Sequence, residues 1–423
     1  MTASLILTCY VALALLDLGW GSFLSALNYR SVSRHGGEVP KELQKNVTTE
    51  EATKSADYSK AKMRLSFIAT PLSTFIVLFA AIFGLFGLFD SWIGVLGLSS
   101  YWRGALYLGA LMLAQGLLSA PFELYSTFVL EKRFGFNTTT MRTWLLDGLK
   151  SLLLSAVIGL PLLALLYVFI DGAGSFWWLW AAAIFSVLDI VISLVYPLVI
   201  APLFNKFSPL SEGSLKERIG ELAARLEFRV SGIFVMDGSK RSRHSNAYFT
   251  GLGRVKRIVL YDTLVSSMSE DEILAVLAHE IGHEKKKHVQ KMTALSIVLS
   301  FATFWVLDLL MRWSELYAAF GFAEPSKHAI LLILALVSGP ATFFLAPAFS
   351  AWSRKHEYQA DSFAVEAAGA EALGSSLVKL SRENASNLWP SRLYSAWDYS
   401  HPSLRERLAA ISSEAKSRGR KTR

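Results

Sequence analysis

The 423-residue chain has one cysteine, Cys9, and only 18% of its residues are charged. A single thiol inside an apolar run excludes a disulfide framework and a thiolate metal site, so metal ligands must be histidines and carboxylates. Such sparse charge, beside 52% hydrophobic residues and a mean hydropathy of +0.38, excludes an ordinary soluble protein and points to the bilayer. The net charge of +8 comes from basic residues that flank apolar runs and form no single stripe. That pattern excludes a nucleic-acid partner and indicates an anionic membrane leaflet. The first apolar run follows Met-Thr-Ala-Ser, which lacks a basic signal-peptide start, and it reads as an uncleaved helix.

Seven apolar segments reach spanning length: Leu5 to Leu27, Leu65 to Leu88, Gly104 to Tyr125, Leu152 to Ile170, Trp177 to Ile200, Met292 to Met311 and His328 to Phe349. The first loop holds Arg30, Arg34, Lys41, Lys45, Lys54, Lys60, Lys62 and Arg64, whereas the second holds only Arg103 and the fourth holds no basic residue. The third carries Lys132, Arg133, Arg142 and Lys150, and the fifth loop and C-terminal tail are also basic. The positive-inside rule places loops one, three and five and the tail in the cytoplasm. Sequons at Asn46, Asn137 and Asn384 then face the cytoplasm and read as unglycosylated.

Within this chain lies His279-Glu280-Ile281-Gly282-His283. On a helix, positions four apart share a face, so two imidazoles can hold one zinc ion while Glu280 serves as general base to water. Ser269-Glu270-Asp271-Glu272 has capping-box form, and Ile273, Leu277 and Ile281 follow at i, i+4. The motif therefore falls on an amphipathic helix with a defined start.

A catalytic zinc needs a third protein ligand and an open position. Val289 stands where a metzincin has its third histidine, which excludes that class. His288, five residues past His283, lies half a turn away on a continuous helix and cannot complete the set. Glu357 and Asp361, at i, i+4 beyond the last apolar run, offer a ligand and an acceptor for the second N–H of a ligating histidine. His356 points elsewhere on that helix and reads as a surface residue. His401, in Ser400-His401-Pro402-Ser403, is a candidate donor to the oxyanion, with Arg407 behind it as a candidate substrate-binding residue.

The chain divides into residues 1–202 with five spans, 203–291 with the zinc motif, 292–350 with two spans, and 351–423 with the third ligand. The two polar stretches are expected to form one small α+β, gluzincin-like unit. Leu215 to Leu226 reads as a helix, and Arg229 to Met236, Asn246 to Gly251 and Arg257 to Asp262 read as strands. The turn Thr250-Gly251-Leu252-Gly253 makes the last two a hairpin, and Asn246, Ala247 and Tyr248 offer an edge for pairing with a peptide. Asp17, Glu123, Asp189 and Asp308 fall within spans, either as packing pairs or as the lining of a watery cavity, for which six span prolines would make room.

Taken together these residues resemble the type I CAAX prenyl proteases. The likeness includes Pro121 to Glu131, Phe134-Gly135-Phe136-Asn137, Ser245 to Phe249, Arg257 to Leu264, the zinc helix, the Glu357/Asp361 segment and Tyr399-Ser400-His401-Pro402, in that order. The resemblance implies His279, His283 and Glu357 as zinc ligands, Glu280 as the catalytic carboxylate, His401 near the oxyanion and the Asn246 strand as substrate guide. It further implies seven helices around a chamber, and removal of the last three residues of a prenylated Cys-a-a-X tail. A membrane quality-control protease without a prenyl requirement, or a transporter with a non-catalytic metal site, are the readings that compete with it.

Overall fold

The computed structural model describes residues 1–251 and 256–421. Its helices include seven long and apolar enough to cross a membrane: Ala3–His35, Thr49–Ile82, Ser100–Glu131, Met141–Gly172, Gly174–Phe204, His288–Met311 and Lys327–Ala368. Most outrun the apolar segment that marked them, because polar turns continue the helix beyond the bilayer. The second ends at Ile82, short of the expected Leu88, where Gly84 (φ 65°) breaks the chain before a separate helix over Leu85–Gly94. The second span starts on a complete capping box between Thr48 and Glu51. The last span is a helix over Lys327–Thr342, a tight turn over Phe343–Leu345, and a second helix over Ala346–Ala368. That extension carries His356, Glu357 and Asp361 out of the apolar zone.

Tyr10, Tyr107, Tyr317, Phe320 and Ile330 belong to a buried core at one end of the spans. Elsewhere polar residues face open space. Ser66, Thr70, Ser73, Gln115, Ser119 and Glu123 line a cavity of about 570 Å³ between the second and third spans. Asp17 lines a neighbouring one with Ser66 and Thr70. Of the other ionisable residues within spans, Asp308 accepts from Trp177 Nε1 at 2.7 Å and pairs with Arg312, and Asp189 accepts from Ser296. A further group had no sequence signal. Asp90 receives Arg103 Nε at 2.9 Å and Nη2 at 2.8 Å, and His328 Nε2 lies at 2.7 Å, tying the third span to the seventh.

Outside the spans, a four-stranded sheet runs in the order β1-β2-β4-β3, with β1 Phe207–Pro209, β2 Gly232–Met236, β3 Ala247–Thr250 and β4 Arg257–Tyr261. β3 and β4 pair antiparallel as expected, although Leu252 and Gly253 of the expected turn lie outside the described residues. The helix Ser214–Arg225 matches its expected range within a residue. β1 escaped notice because three residues ending in proline carry no alternation to read. The core beneath the sheet mixes residues from both polar stretches, among them Ile258, Leu260, Ile273, Leu277, Leu373 and Ile411.

Candidate metal centre

The zinc helix spans Glu270–Lys285 and begins with both bonds of the capping box in place. Ser269 N donates to Glu272 Oε2 at 2.8 Å, and Glu272 N donates to Ser269 Oγ at 3.4 Å. Its apolar face, with Ile273, Leu277 and Ile281 almost wholly buried, fixes the rotation that sends His279 and His283 to one side. The partner helix is Ala346–Ala368. Gly282 lets the two approach, since a Cβ there would stand 3.1 Å from Ala360 Cα and 3.2 Å from Ala360 O. Ala360 sits between Glu357 and Asp361, so this crossing sets the third ligand against the first two.

Three side chains converge. His279 Nε2 and His283 Nε2 are 3.1 Å apart, and Glu357 places one oxygen 3.5 Å from the first and the other 3.3 Å from the second. Bonds of ~2.0–2.1 Å to a tetrahedral zinc put ligand atoms about 3.3–3.4 Å apart, so the set fits that ion. Glu357 is buried, yet its Oε2 has no hydrogen-bond partner. An orphaned oxygen on a buried carboxylate that faces two imidazoles is what a metal would satisfy. Among the described residues, His279, His283 and Glu357 are the group whose geometry could hold an ion.

The surrounding shell orients these ligands. Asp361 accepts from His279 Nδ1 at 2.8 Å, and Arg407 donates Nε and Nη2 to the same carboxylate. Arg407 therefore lies behind Asp361, engaged by it, and within 3.8 Å of Glu357. Burial would lower the pKa of the His279 ring, but the bonds to Asp361 and Glu357 more than offset it and hold it up at about 9. Burial raises the carboxyl pKa of Glu280, with the neighbouring imidazoles opposing. His401 is exposed, takes Ser400 Oγ at its Nδ1 (2.9 Å), and has Nε2 3.4 Å from Glu357 Oε1.

β3 forms an edge of the sheet among the described residues. Asn246 just before it is exposed, Ala247 is buried and Tyr248 half-buried. The Asn384 side chain clasps the preceding residue: its Oδ1 accepts from Ser245 N at 3.1 Å and its Nδ2 donates to Ser245 O at 3.3 Å. His244 stacks on Phe136 at 4.4 Å and approaches Glu131 at 3.5 Å, which joins this segment to the third span.

One expectation fails outright. His356 is no surface residue but only 6% exposed, stacked on His288 at 4.0 Å and flanked by Trp352. A single-helix projection could not see that the start of the sixth span covers that face. His288 itself lies nearer than a continuous helix allows. Lys287 has a left-handed backbone (φ 57°), so the chain breaks and turns there, bringing His288 Nδ1 within 3.1 Å of His283 Nδ1. It joins no ligand set, but it does touch a ligand.

Comparison with known proteins places this geometry. Residues 28–206 match the family described as CAAX prenyl protease N-terminal, five membrane helices, and residues 209–415 match peptidase family M48. The chain is 38% identical over 386 residues to a CAAX prenyl protease 1 homolog of Arabidopsis thaliana, covering 89% of this chain and 91% of that one. It is 37% identical over 421 residues to CAAX prenyl protease 1 of Saccharomyces cerevisiae, covering 92% of each. The crystal structure of S. mikatae Ste24p superposes with a TM-score of 0.91 at 36% identity, covering 97% of this chain and 99% of that chain.

Proposed function

The chain belongs to the CAAX prenyl protease 1 family of M48 zinc metallopeptidases, and from that premise we propose that it removes the last three residues of prenylated CAAX tails. The observation that carries the proposal is the convergence of His279, His283 and Glu357 at zinc spacing on the helix that also holds Glu280.

One zinc per chain would rest on those three side chains. When bound, it supplies Lewis acidity and brings the pKa of water at its open position near about 7. Glu280 takes the proton of the attacking water and returns it to the leaving amine, a role favoured by a carboxyl pKa already raised by burial. His401 faces the site from its exposed side. With Ser400 donating to Nδ1, its Nε2–H is free to donate to the developing oxyanion. Asp361 keeps the His279 proton on Nδ1 and so leaves Nε2 for the metal, while Arg407 holds Asp361 in place. Asn246, Ala247 and Tyr248 offer the substrate backbone an edge to pair with.

The polar-lined cavities among the spans support a chamber through which the tail reaches the metal. The distribution of Lys and Arg supports a cytoplasmic catalytic unit. The test compares cleavage of a farnesylated CAAX peptide with that of its unprenylated twin by the purified protein. Cleavage that favours the farnesylated peptide is expected. Equal cleavage of both would move the reading to general membrane proteolysis, and no cleavage by zinc-loaded protein would favour a non-catalytic metal site.

A further inference from the structure

We propose that His288 and Gln359 are positioning residues that set the ring tautomer of His283 and so govern its binding of zinc. The proposal deepens the zinc reading above and rests on it.

A ligating histidine binds metal through a bare nitrogen lone pair, and the other nitrogen must carry the proton. For His279 a carboxylate, Asp361, keeps that proton on Nδ1. His283 has no carboxylate at its Nδ1. It has His288 Nδ1, at 3.1 Å. The proton between those two nitrogens could belong to either ring, and the next contact decides. His288 Nε2 lies 2.9 Å from the Gln359 side-chain oxygen. A carbonyl oxygen only accepts, so His288 carries its proton on Nε2 and its Nδ1 presents a lone pair. His283 must then donate from Nδ1, which leaves Nε2 bare where it stands 3.1 Å from His279 Nε2 and 3.3 Å from Glu357. Were an amide N–H turned to His288 instead, every proton in the row would shift and His283 Nε2 would be blocked.

The surroundings hold His288 to this task. Its ring is 3% exposed and lies flat on His356 at an interplanar angle of 11°. The left-handed turn at Lys287 brings the ring back over the zinc helix. Gln359 comes from the helix that supplies Glu357, two residues away, so the row joins both ligand-bearing helices. Its polar members, His283, His288 and Gln359, come from three different helices.

The test measures zinc affinity of the full-length detergent-solubilised protein by competition with a chromophoric chelator. Substitutions in the second shell of a metal site typically weaken binding about 10–100-fold. His288→Phe keeps the stacking and volume but loses the acceptor, and this range is expected for it. His288→Asn puts an amide oxygen near the place of Nδ1 and is expected to retain most of the affinity. A packing role requires the reverse order, with Phe tolerated and Asn not, and that result would overturn the proposal. Gln359 gives a second, milder pair. Gln359→Leu should weaken zinc binding and Gln359→Glu, which can only accept at neutral pH, should preserve it. Equal affinity in both Gln359 variants would also overturn the proposal. A wild-type protein that binds no zinc would sink the zinc reading itself, which separates that failure from this one.

Discussion

Gly282 faces Ala360 where the two ligand-bearing helices cross, and a Cβ on the glycine would lie 3.1 Å from the alanine Cα. The contact is to backbone, so a flexible side chain cannot absorb it. We predict that Gly282→Ala separates the helices by a few tenths of an ångström, moves Glu357 from the two histidines and lowers zinc affinity. Fold should survive, since overpacking of this kind costs about 1–3 kcal/mol. Bound zinc per chain, measured with a thermal melt, separates the two effects. Unchanged zinc content and affinity would show that the crossing has slack.

Asp361 is expected to matter chiefly through His279. Asp361→Asn keeps the shape but loses the charge that anchors both the Nδ1 proton and Arg407. Zinc affinity should fall about 10–100-fold, and Arg407→Gln should produce a smaller loss in the same direction. Chelator competition on the two variants reads both.

The start of the zinc helix gives a pH dependence. Burial would raise the Glu272 carboxyl, but hydrogen bonds from Ser375, Lys379 and the Ser269 backbone prevail and hold its pKa down to about 2. The ordinary value is near 4.5. A folded pKa below the unfolded one contributes stability that is complete above about pH 4.5 and lost as pH falls toward 2. Thermal melts across that window should drop for wild type and drop less steeply for Glu272→Gln, which starts lower. Parallel slopes would assign the acid loss to other groups.

Asp90, Arg103 and His328 make the opposite end of the protein sensitive to single changes. Removing Asp90 strands a guanidinium and a buried imidazole, and breaking a buried pair costs about 3–5 kcal/mol. Arg103 is one-third exposed, so Asp90→Ala is expected at the lower end of that range. The melt should fall while zinc content of the folded fraction stays constant, because the cluster lies apart from the metal ligands.

The sequence makes the metal ligands legible for a local reason. Capping residues, apolar spacing and paired i, i+4 polar groups each act within one helix, so His279, Glu280, His283, Glu357 and Asp361 can be picked out by position. His288 and His356 cannot, because their setting depends on a left-handed lysine, which lacks the usual glycine signal, and on the packing of a third helix. The same holds for Asn384 and Asp90, whose partners are distant in the chain. β3 and β4 show as short runs of aromatic and β-branched residues, whereas β1 is too short to show one.

The most direct test of zinc-dependent peptide hydrolysis is the pair of wild type and Glu280→Gln, each assayed for bound zinc and for cleavage of a farnesylated CAAX peptide. Glu280 is not a ligand, so both proteins should hold zinc at one per chain, and only wild type should cut. Cleavage by the glutamine variant at the wild-type rate would contradict the role of Glu280 as the base, and loss of zinc from it would contradict the ligand set.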